Sequence, residues 1–268
     1  MGGNGGQARC TSDAKPKPGK TGWHMKKMVK ALLHSLGYDI RRIPRAITGI
    51  PDAEFYKPLF SPWLGYAEFK ALRELAGPDT LVSPDRCYVL YTLTKQALGL
   101  GGDIWECGVY RGGTAALLAE LVASGRDPRQ KLHLFDTFQG MPETDPARDV
   151  HHRPGDFADT TLAVVRERVG HDDVTVYHEG LIPDTFAGLE SSQIALAHVD
   201  VDIYKSVLDC CSFIVPRLVR GGFVIFDDYG FPTCPGARTA VDEYFENRPE
   251  RPLVLPTGQA VVIKCSGP

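Results

Sequence analysis

Hydrophobic and polar positions change their period at about residue 100 of the chain. Before that point, apolar side chains recur every three or four residues, which predicts helices over Trp23–Leu36, Ala67–Ala76 and Pro84–Ala97. After Gly99–Gly102, short apolar runs alternate with helical stretches, as in βαβ units that build a parallel sheet. The change of period predicts a helical N-terminal part followed by one α/β domain.

Seven apolar runs predict strands, and four longer segments between or after them predict helices. The strand runs are DIWECGV, KLHLFDT, VTVYHEG, IALAHVDVD, GGFVIFDDY, PLVLPT and AVVIK. The helices are expected near Thr114–Ala123, Thr160–Val169, Lys205–Leu218 and Ala237–Asn247. We therefore expect an α/β fold with a mostly parallel sheet, a C-terminal antiparallel strand and helices on both faces.

The N-terminal part divides into a leader and a longer segment of mixed pattern. Residues 1–22 combine Gly, Pro and Lys without periodicity, which predicts a disordered leader. Residues 23–82 hold the first helices and a proline-rich, aromatic stretch over 41–66, which favours a lid or a partner surface. The α/β domain is expected over 83–268.

Composition and charge exclude several classes of protein. With 268 residues, 43% hydrophobic and 24% charged, the chain resembles soluble globular proteins. A net charge of −3 and no basic stripe give no reason to expect nucleic acid as a partner. Seven cysteines without a CxxC spacing favour a reducing compartment. Because no apolar run is long enough for a membrane span or a signal peptide, we expect a cytoplasmic protein.

The run ECGVYRGGT places glycines at a predicted turn from strand to helix. Gly108 and its neighbouring glycines let the backbone approach a ligand, and the N–H groups of such a turn suit a carboxylate or phosphate. The spacing differs from the GxGxxG of dinucleotide folds, since Tyr110 stands at the second glycine position. Asp136 ends the next strand, where an acid binds ribose hydroxyls or, more often, caps a helix. Together with Glu106, these residues favour a nucleoside-containing cofactor.

Two pairs of carboxylates follow the two most apolar strands. Asp200 and Asp202 share a face because they lie two residues apart in an extended segment, and Asp227 and Asp228 follow the next strand. Such oxygen-rich clusters suit Mg²⁺, Mn²⁺ or Ca²⁺. The alternative is helix capping with salt bridges to nearby cations, namely Lys205, Arg217 or Arg220. Two clusters on adjacent strand ends favour the metal.

Six motifs in one order resemble the macrocin O-methyltransferase family of sugar methyltransferases. They are ECGVYRGGT, LFDTFQGMPE, HHRPGDFADT, AHVDVDIYKS, GGFVIFDDYG and PGARTAVDEYF. The resemblance covers roughly Ser83 to Lys264. It implies a class I S-adenosylmethionine (SAM) methyltransferase fold of Rossmann-like type, a Mg²⁺ ion, a glycoside acceptor from antibiotic biosynthesis, and a homo-oligomer.

The resemblance also implies roles for individual residues. Cofactor contacts would come from Glu106, Gly108 and Thr114 at the methionine part, Asp136 at the ribose, and Gly155, Asp156 and Phe157 near the adenine. Asp200, Asp227 and Asp228 match the metal carboxylates, and Asp202 would support them. A cation lowers the pKa of an acceptor hydroxyl, and a carboxylate beside it can take the proton, so we assign Asp200 as the base. His151 and His152 are expected to contact solvent or substrate rather than form a two-histidine metal site.

One departure from the catechol methyltransferases separates this chain from their mechanism. Those enzymes carry a lysine three residues after the first metal aspartate, whereas this chain has Ile203 there. The alternatives are an O-methyltransferase of a phenol or catechol hydroxyl, and a non-catalytic SAM-binding protein. A nicotinamide-dependent oxidoreductase is disfavoured because GxGxxG is absent.

Overall fold

The protein is described here by a computed structural model, which covers residues 20–36, 38 and 60–265. The chain divides into two units, Met1–Leu59 and Phe60–Pro268. The predicted first helix is confirmed as α1 (Lys20–Ser35), so the last three residues of the predicted leader are helical. The rest of the leader, and the proline-rich stretch up to residue 59, lie outside the described residues.

The second unit contains seven strands and six α-helices among the described residues. The strands are β1 (Asp103–Cys107), β2 (Leu132–Asp136), β3 (Thr175–Glu179), β4 (Ile194–Val199), β5 (Leu218–Phe226), β6 (Leu253–Val254) and β7 (Ala260–Ile263). The helices are α2 (Phe69–Ala76), α3 (Pro84–Ala97), α4 (Gly113–Ala123), α5 (Leu162–Val169), α6 (Tyr204–Ile214) and α7 (Pro235–Phe245). A search of the described helices finds none with the length and apolar character of a membrane span.

All seven strands form one sheet in the order β3-β2-β1-β4-β5-β7-β6. Strands β1 to β5 pair in parallel, whereas β7 runs antiparallel to both β5 and β6. The expected C-terminal antiparallel strand is therefore confirmed. Strand β1 lies between β2 and β4, so the strand order reverses beside it. In an open α/β sheet such a reversal opens a crevice at the carboxyl ends of the strands.

Helices cover both faces of the sheet, as expected. Alternate residues of a strand point to opposite faces, and Ile104 and Trp105 show the consequence. Ile104 packs in a core that includes buried residues of α2, α3, α4 and α5. Trp105 packs in a second core with buried residues of α6 and α7. The two cores hold the parallel strands rigidly, which fixes the positions of the side chains at their carboxyl ends.

Candidate functional site

A cavity of about 250 Å³ lies at the carboxyl edge of the parallel strands. Six of the predicted functional residues or their neighbours line it: Gly108, Thr114, Asp136, Phe157, Asp200 and Asp228. Four other predicted residues, Glu106, Gly155, Asp156 and Asp227, are not part of the cavity wall. The structure thus brings most of the predicted site together and places the remainder behind or beside it.

The turn between β1 and α4 requires glycine at Gly108. Its φ is 87°, in the left-handed region that side chains disfavour. A Cβ atom at this position would lie 1.8 Å from the carbonyl oxygen of Asp200. The close approach joins the turn after β1 to the segment after β4. The turn and the first predicted metal ligand are therefore neighbours through the backbone itself.

Asp136 holds the same turn from the other side. Its Oδ2 accepts hydrogen bonds from the N–H groups of Val109 (2.7 Å) and Tyr110 (2.9 Å), and its Oδ1 accepts one from Phe138 (2.7 Å). The sequence suggested that the N–H groups of the turn would serve a ligand, but two of them bind this carboxylate of the chain itself. Each carboxylate oxygen has two lone pairs, so the two bonds to Oδ2 fill that oxygen. Any acceptor capacity toward a ligand lies on Oδ1, where the second donor, Thr137 Oγ1, is distant at 3.5 Å.

A network of fully buried charges lies behind the cavity. His198 Nδ1 lies 2.9 Å from Glu106 Oε1, and its Nε2 lies 3.3 Å from Asp227 Oδ1. Gln259 Nε2 donates to the same Asp227 oxygen at 2.8 Å, and Arg86 forms an ion pair with Oδ2. Glu106 and Asp227 are 0% exposed. The partners of Asp227 offset the cost of removing its carboxylate from water, whereas Glu106 Oε2 has no hydrogen-bond partner among the described residues.

The carboxylates that line the cavity have weaker compensation in the described part of the chain: Asp228 Oδ2 accepts the N–H of Asp202, and Asp202 Oδ1 accepts a hydrogen bond from Cys234 Sγ. Burial raises the pKa of Asp200 to about 6, and the carboxylate of Asp202 adds to the effect while His198 opposes it. Burial, together with Asp202 and Asp200, raises the pKa of Asp228 well above its usual range. The pKa of Asp202 is also raised by burial. Three crowded carboxylates with raised pKa values form a site that a cation would stabilise.

The sequence left open that the aspartates cap helices and form salt bridges with nearby cations. In the structure, the partners of these groups differ from the expected ones. Lys205 pairs with Asp209 at 2.6 Å, and Arg217 donates to backbone carbonyls. The N-terminus of α6 is capped from another loop, because Asp149 Oδ1 accepts the N–H of Tyr204 at 2.9 Å. The cation that does pair with a site aspartate is Arg86. It lies 141 residues before Asp227, so local sequence gave no signal for it.

The loop expected near the adenine presents one of its three predicted residues to the cavity. Phe157 lines the wall, with φ 62° and its ring 5.4 Å from that of Tyr110 at an angle of 69°. Asp156 faces its own loop, since Oδ2 accepts the N–H of Arg153 at 2.9 Å and its carbonyl accepts that of Met141 at 2.7 Å. Asp156 and Gly155 therefore shape the loop that holds Phe157.

Other lining residues were missing from the prediction. Besides Arg86 they include Gly180, Leu181, Ser206, Phe231 and Cys234. Gly180 follows β3 at the same sheet edge as Asp136, so the rule that ligands bind at carboxyl ends would have found it. Phe231 lies under Arg86, whose guanidinium carbon is 4.7 Å from the ring centre. Only the tertiary structure brings these two together.

Comparison with known proteins agrees with this fold. Residues 84–254 match the macrocin-O-methyltransferase (TylF) family. The chain is 35% identical over 162 residues to an 8-demethyl-8-(2,3-dimethoxy-α-L-rhamnosyl)-tetracenomycin-C 4'-O-methyltransferase of Streptomyces olivaceus, covering 56% of this chain and 60% of that protein. It is 32% identical over 180 residues to the mycinamicin III 3''-O-methyltransferase of Micromonospora griseorubida, covering 62% and 69%. The structure of the O-methyltransferase NovP superimposes with a TM-score of 0.63 at 24% identity, covering 70% and 83%.

These matches give both the class and the family of the protein. The sheet order, the glycine turn and the structural likeness are those of the class I SAM-dependent O-methyltransferases. Within that class, the chain belongs to the macrocin O-methyltransferase family, as its six motifs implied. The match spans about 60% of the length of the tetracenomycin enzyme, so it does not establish the acceptor of this protein.

Proposed function

We propose that this protein is a SAM- and Mg²⁺-dependent O-methyltransferase that methylates a hydroxyl on a sugar of a glycosylated natural product. One observation carries the proposal: the glycine turn at Gly108 and the carboxylates of Asp200 and Asp228 meet in a single cavity. A methyl donor bound at the turn would therefore lie beside an anionic, cation-binding wall.

The cofactor would be held by the residues that line this cavity. Gly108 gives the close backbone approach, and Thr114, Asp136 and Phe157 would face the methionine, the ribose and the adenine. Glu106 is fully buried with Oε1 bonded to His198. Its Oε2 has no hydrogen-bond partner among the described residues, so Glu106 would use this oxygen toward the methionine part. When bound, SAM supplies an electrophilic methyl group, and the main task of the chain is to align it with the acceptor oxygen.

The proposed metal ligands are Asp200, Asp227 and Asp228. An all-oxygen donor set suits Mg²⁺, and ligand oxygens of Asp200 and Asp227 lie within 4.8 Å of each other. Asp228 lies on the cavity wall, where its Oδ2 accepts the N–H of Asp202 at 2.9 Å. When bound, Mg²⁺ would lower the pKa of an acceptor hydroxyl and fix its direction.

Asp200 is the proposed general base. It lies on the cavity wall beside the turn that would hold the cofactor, and it lies next to the other carboxylates. A hydroxyl bound there would be within reach of its oxygens, so proton removal and methyl transfer would occur at one place. No lysine takes this role in the described site, since Ile203 is buried and Lys205 pairs with Asp209.

A sugar acceptor is supported by the two named relatives. Their names describe methylation of a rhamnosyl tetracenomycin and of mycinamicin III. Ile203 replaces the lysine of the catechol enzymes, so their mechanism does not carry over, and the names of the relatives carry the choice of acceptor. The sugar hydroxyl is therefore the acceptor we propose.

Calorimetric titration and a turnover assay test these parts separately. We expect SAM to bind and NAD to give no signal, and we expect transfer from SAM to a panel of demethylated glycosides to stop when Mg²⁺ is chelated. Binding of NAD in place of SAM would contradict SAM as the cofactor. Methyl transfer that continues after chelation would contradict the requirement for Mg²⁺. Transfer only to phenols would contradict the sugar acceptor.

A further inference from the structure

A second cluster of possible metal ligands lies at the same cavity wall and differs chemically from the carboxylates. Cys234 Sγ lies 3.4 Å from His152 Nε2 and 3.4 Å from Asp202 Oδ1, and His152 Nε2 lies 3.7 Å from Asp202 Oδ1. The Cys234 residue is 3% exposed, and the His152 side chain is 10% exposed. Three segments far apart in the sequence thus converge on one buried point.

The three separations have the size of the edges of a tetrahedral zinc site. Zinc binds sulfur at about 2.3 Å, imidazole nitrogen at about 2.0–2.1 Å and carboxylate oxygen at about 2.0–2.2 Å, so tetrahedral angles give ligand–ligand distances of about 3.4–3.6 Å. The observed distances of 3.4, 3.4 and 3.7 Å agree with these values. One cation could reach all three atoms with only small side-chain movements.

The surroundings of the cluster resemble those of a metal-ligating histidine. Such a histidine usually has a carboxylate at its second ring nitrogen, which fixes the orientation of the ring. Here the Nδ1 of His152 faces Asp156 Oδ2 at 3.9 Å. Asp202 is held as well, because its N–H donates to Asp228 at 2.9 Å. The resemblance placed Asp156 near the adenine, whereas in the structure its carboxylate faces the ring of His152.

We propose that His152, Asp202 and Cys234 form a binding site for a zinc-class divalent cation, distinct from the oxygen site assigned to Mg²⁺. Thiolate and imidazole ligands select borderline-soft metals, whereas Mg²⁺ takes oxygen ligands. Asp202 and Cys234 line the cavity, so the fourth coordination position is open to water or to an acceptor oxygen. The proposal does not depend on the methyl transfer proposed above.

Cobalt titration of the full chain tests the site, because Co²⁺ substitutes for zinc and reports its ligands by absorption. With Mg²⁺ in excess, we expect one equivalent of Co²⁺ to give a thiolate-to-cobalt charge-transfer band that added Zn²⁺ removes. Cys234→Ser should abolish the band, and His152→Gln should weaken Co²⁺ binding by more than about tenfold. The matched control Cys265→Ser changes an exposed cysteine and should keep the band.

Three outcomes would overturn the proposal. They are a band that persists in Cys234→Ser, a band lost in Cys265→Ser, and cobalt absorption without any sulfur band, which would place the ion on oxygen ligands alone. Thermal unfolding of each variant checks that it is folded. SAM titration of the same samples separates failure of this site from failure of the proposed methyl transfer.

Discussion

Two groups of carboxylates lie at one edge of the sheet, and their surroundings differ. Glu106 and Asp227 are fully buried, and they contact His198, Gln259 and Arg86. Asp200, Asp202 and Asp228 face the cavity, and their pKa values are raised by burial and by one another. Asp227 is balanced by the chain itself, whereas Glu106 Oε2 has no hydrogen-bond partner among the described residues.

The contrast distinguishes a carboxylate that the chain itself balances from carboxylates that a bound cation would balance. A buried carboxylate with a cation and hydrogen-bond donors is stable in the absence of any ligand. Crowded carboxylates without a cation raise the free energy of the ligand-free protein, and a bound cation would lower it. The free energy of unfolding should therefore change in opposite directions when Asp227 and when Asp228 is neutralised.

The largest effect is expected for Asp200→Asn. Loss of the proposed base should lower turnover by about 10²–10⁴-fold, while the SAM dissociation constant measured by calorimetry changes little because the cofactor wall is intact. Asp209→Asn is the matched control, since Asp209 pairs with Lys205 on α6, and it should keep full turnover. Unchanged turnover in Asp200→Asn would remove this residue as base and as metal ligand.

Arg86→Gln should cause the largest loss of stability. It leaves Asp227 buried without its cation, and breaking a buried ion pair costs about 3–5 kcal/mol in the free energy of unfolding. Denaturant unfolding measures this change. Arg129→Gln removes a surface pair with Asp127 and should have no measurable effect; equal losses in both variants would show that the buried network has no special role.

Neutralising Asp227 and neutralising Asp228 should change the free energy of unfolding in opposite directions. In the presence of a chelator at pH 7, Asp228→Asn should raise the free energy of unfolding by about 1–2 kcal/mol because it relieves repulsion. Asp227→Asn should lower it, because Arg86 loses its partner. Saturating Mg²⁺ should reverse the gain in Asp228→Asn. If both variants shift stability in the same direction without metal, the distinction between the two groups fails.

The smallest expected effect is the pH dependence of the ligand-free protein. The pKa of Asp200 rises from 3.8 to about 6 on folding, so its favourable contribution is complete below about pH 4 and is lost as pH rises through 6. The pKa of His178 falls to about 4 through burial, which has the opposite slope. The difference between wild type and Asp200→Asn isolates the aspartate and should amount to about 1–2 kcal/mol between pH 4 and 7. A flat difference would contradict the raised pKa.

Much of the fold followed from periodicity because each element is a local property of the chain. The apolar runs became β1 to β7, and Ser83 followed by Pro84 marked the start of α3. The residues Gly108, Asp136 and Asp200 were recognisable because parallel strands end at one sheet edge, so a motif at a strand end implies a place in space.

Contacts between distant segments could not be predicted in this way. Periodicity gives no information on which cation faces Asp227, and the nearest candidates by sequence, Lys205 and Arg217, have other partners. The partner of Glu106 was also not predictable, since its Oε1 lies 2.9 Å from Nδ1 of His198, 92 residues further along the chain. The partner of a buried side chain is set by distance in space and not by distance along the sequence.

The sequence by itself determined the order of strands and helices, the acidic strand ends and the family, because these depend on local patterns and linked motifs. The tertiary structure alone decided which of the charges are balanced. Arg86 meets Asp227 across 141 residues, and His152, Asp202 and Cys234 meet at one point of the cavity wall. The physical reason is that compensation of a buried charge depends on distance in space.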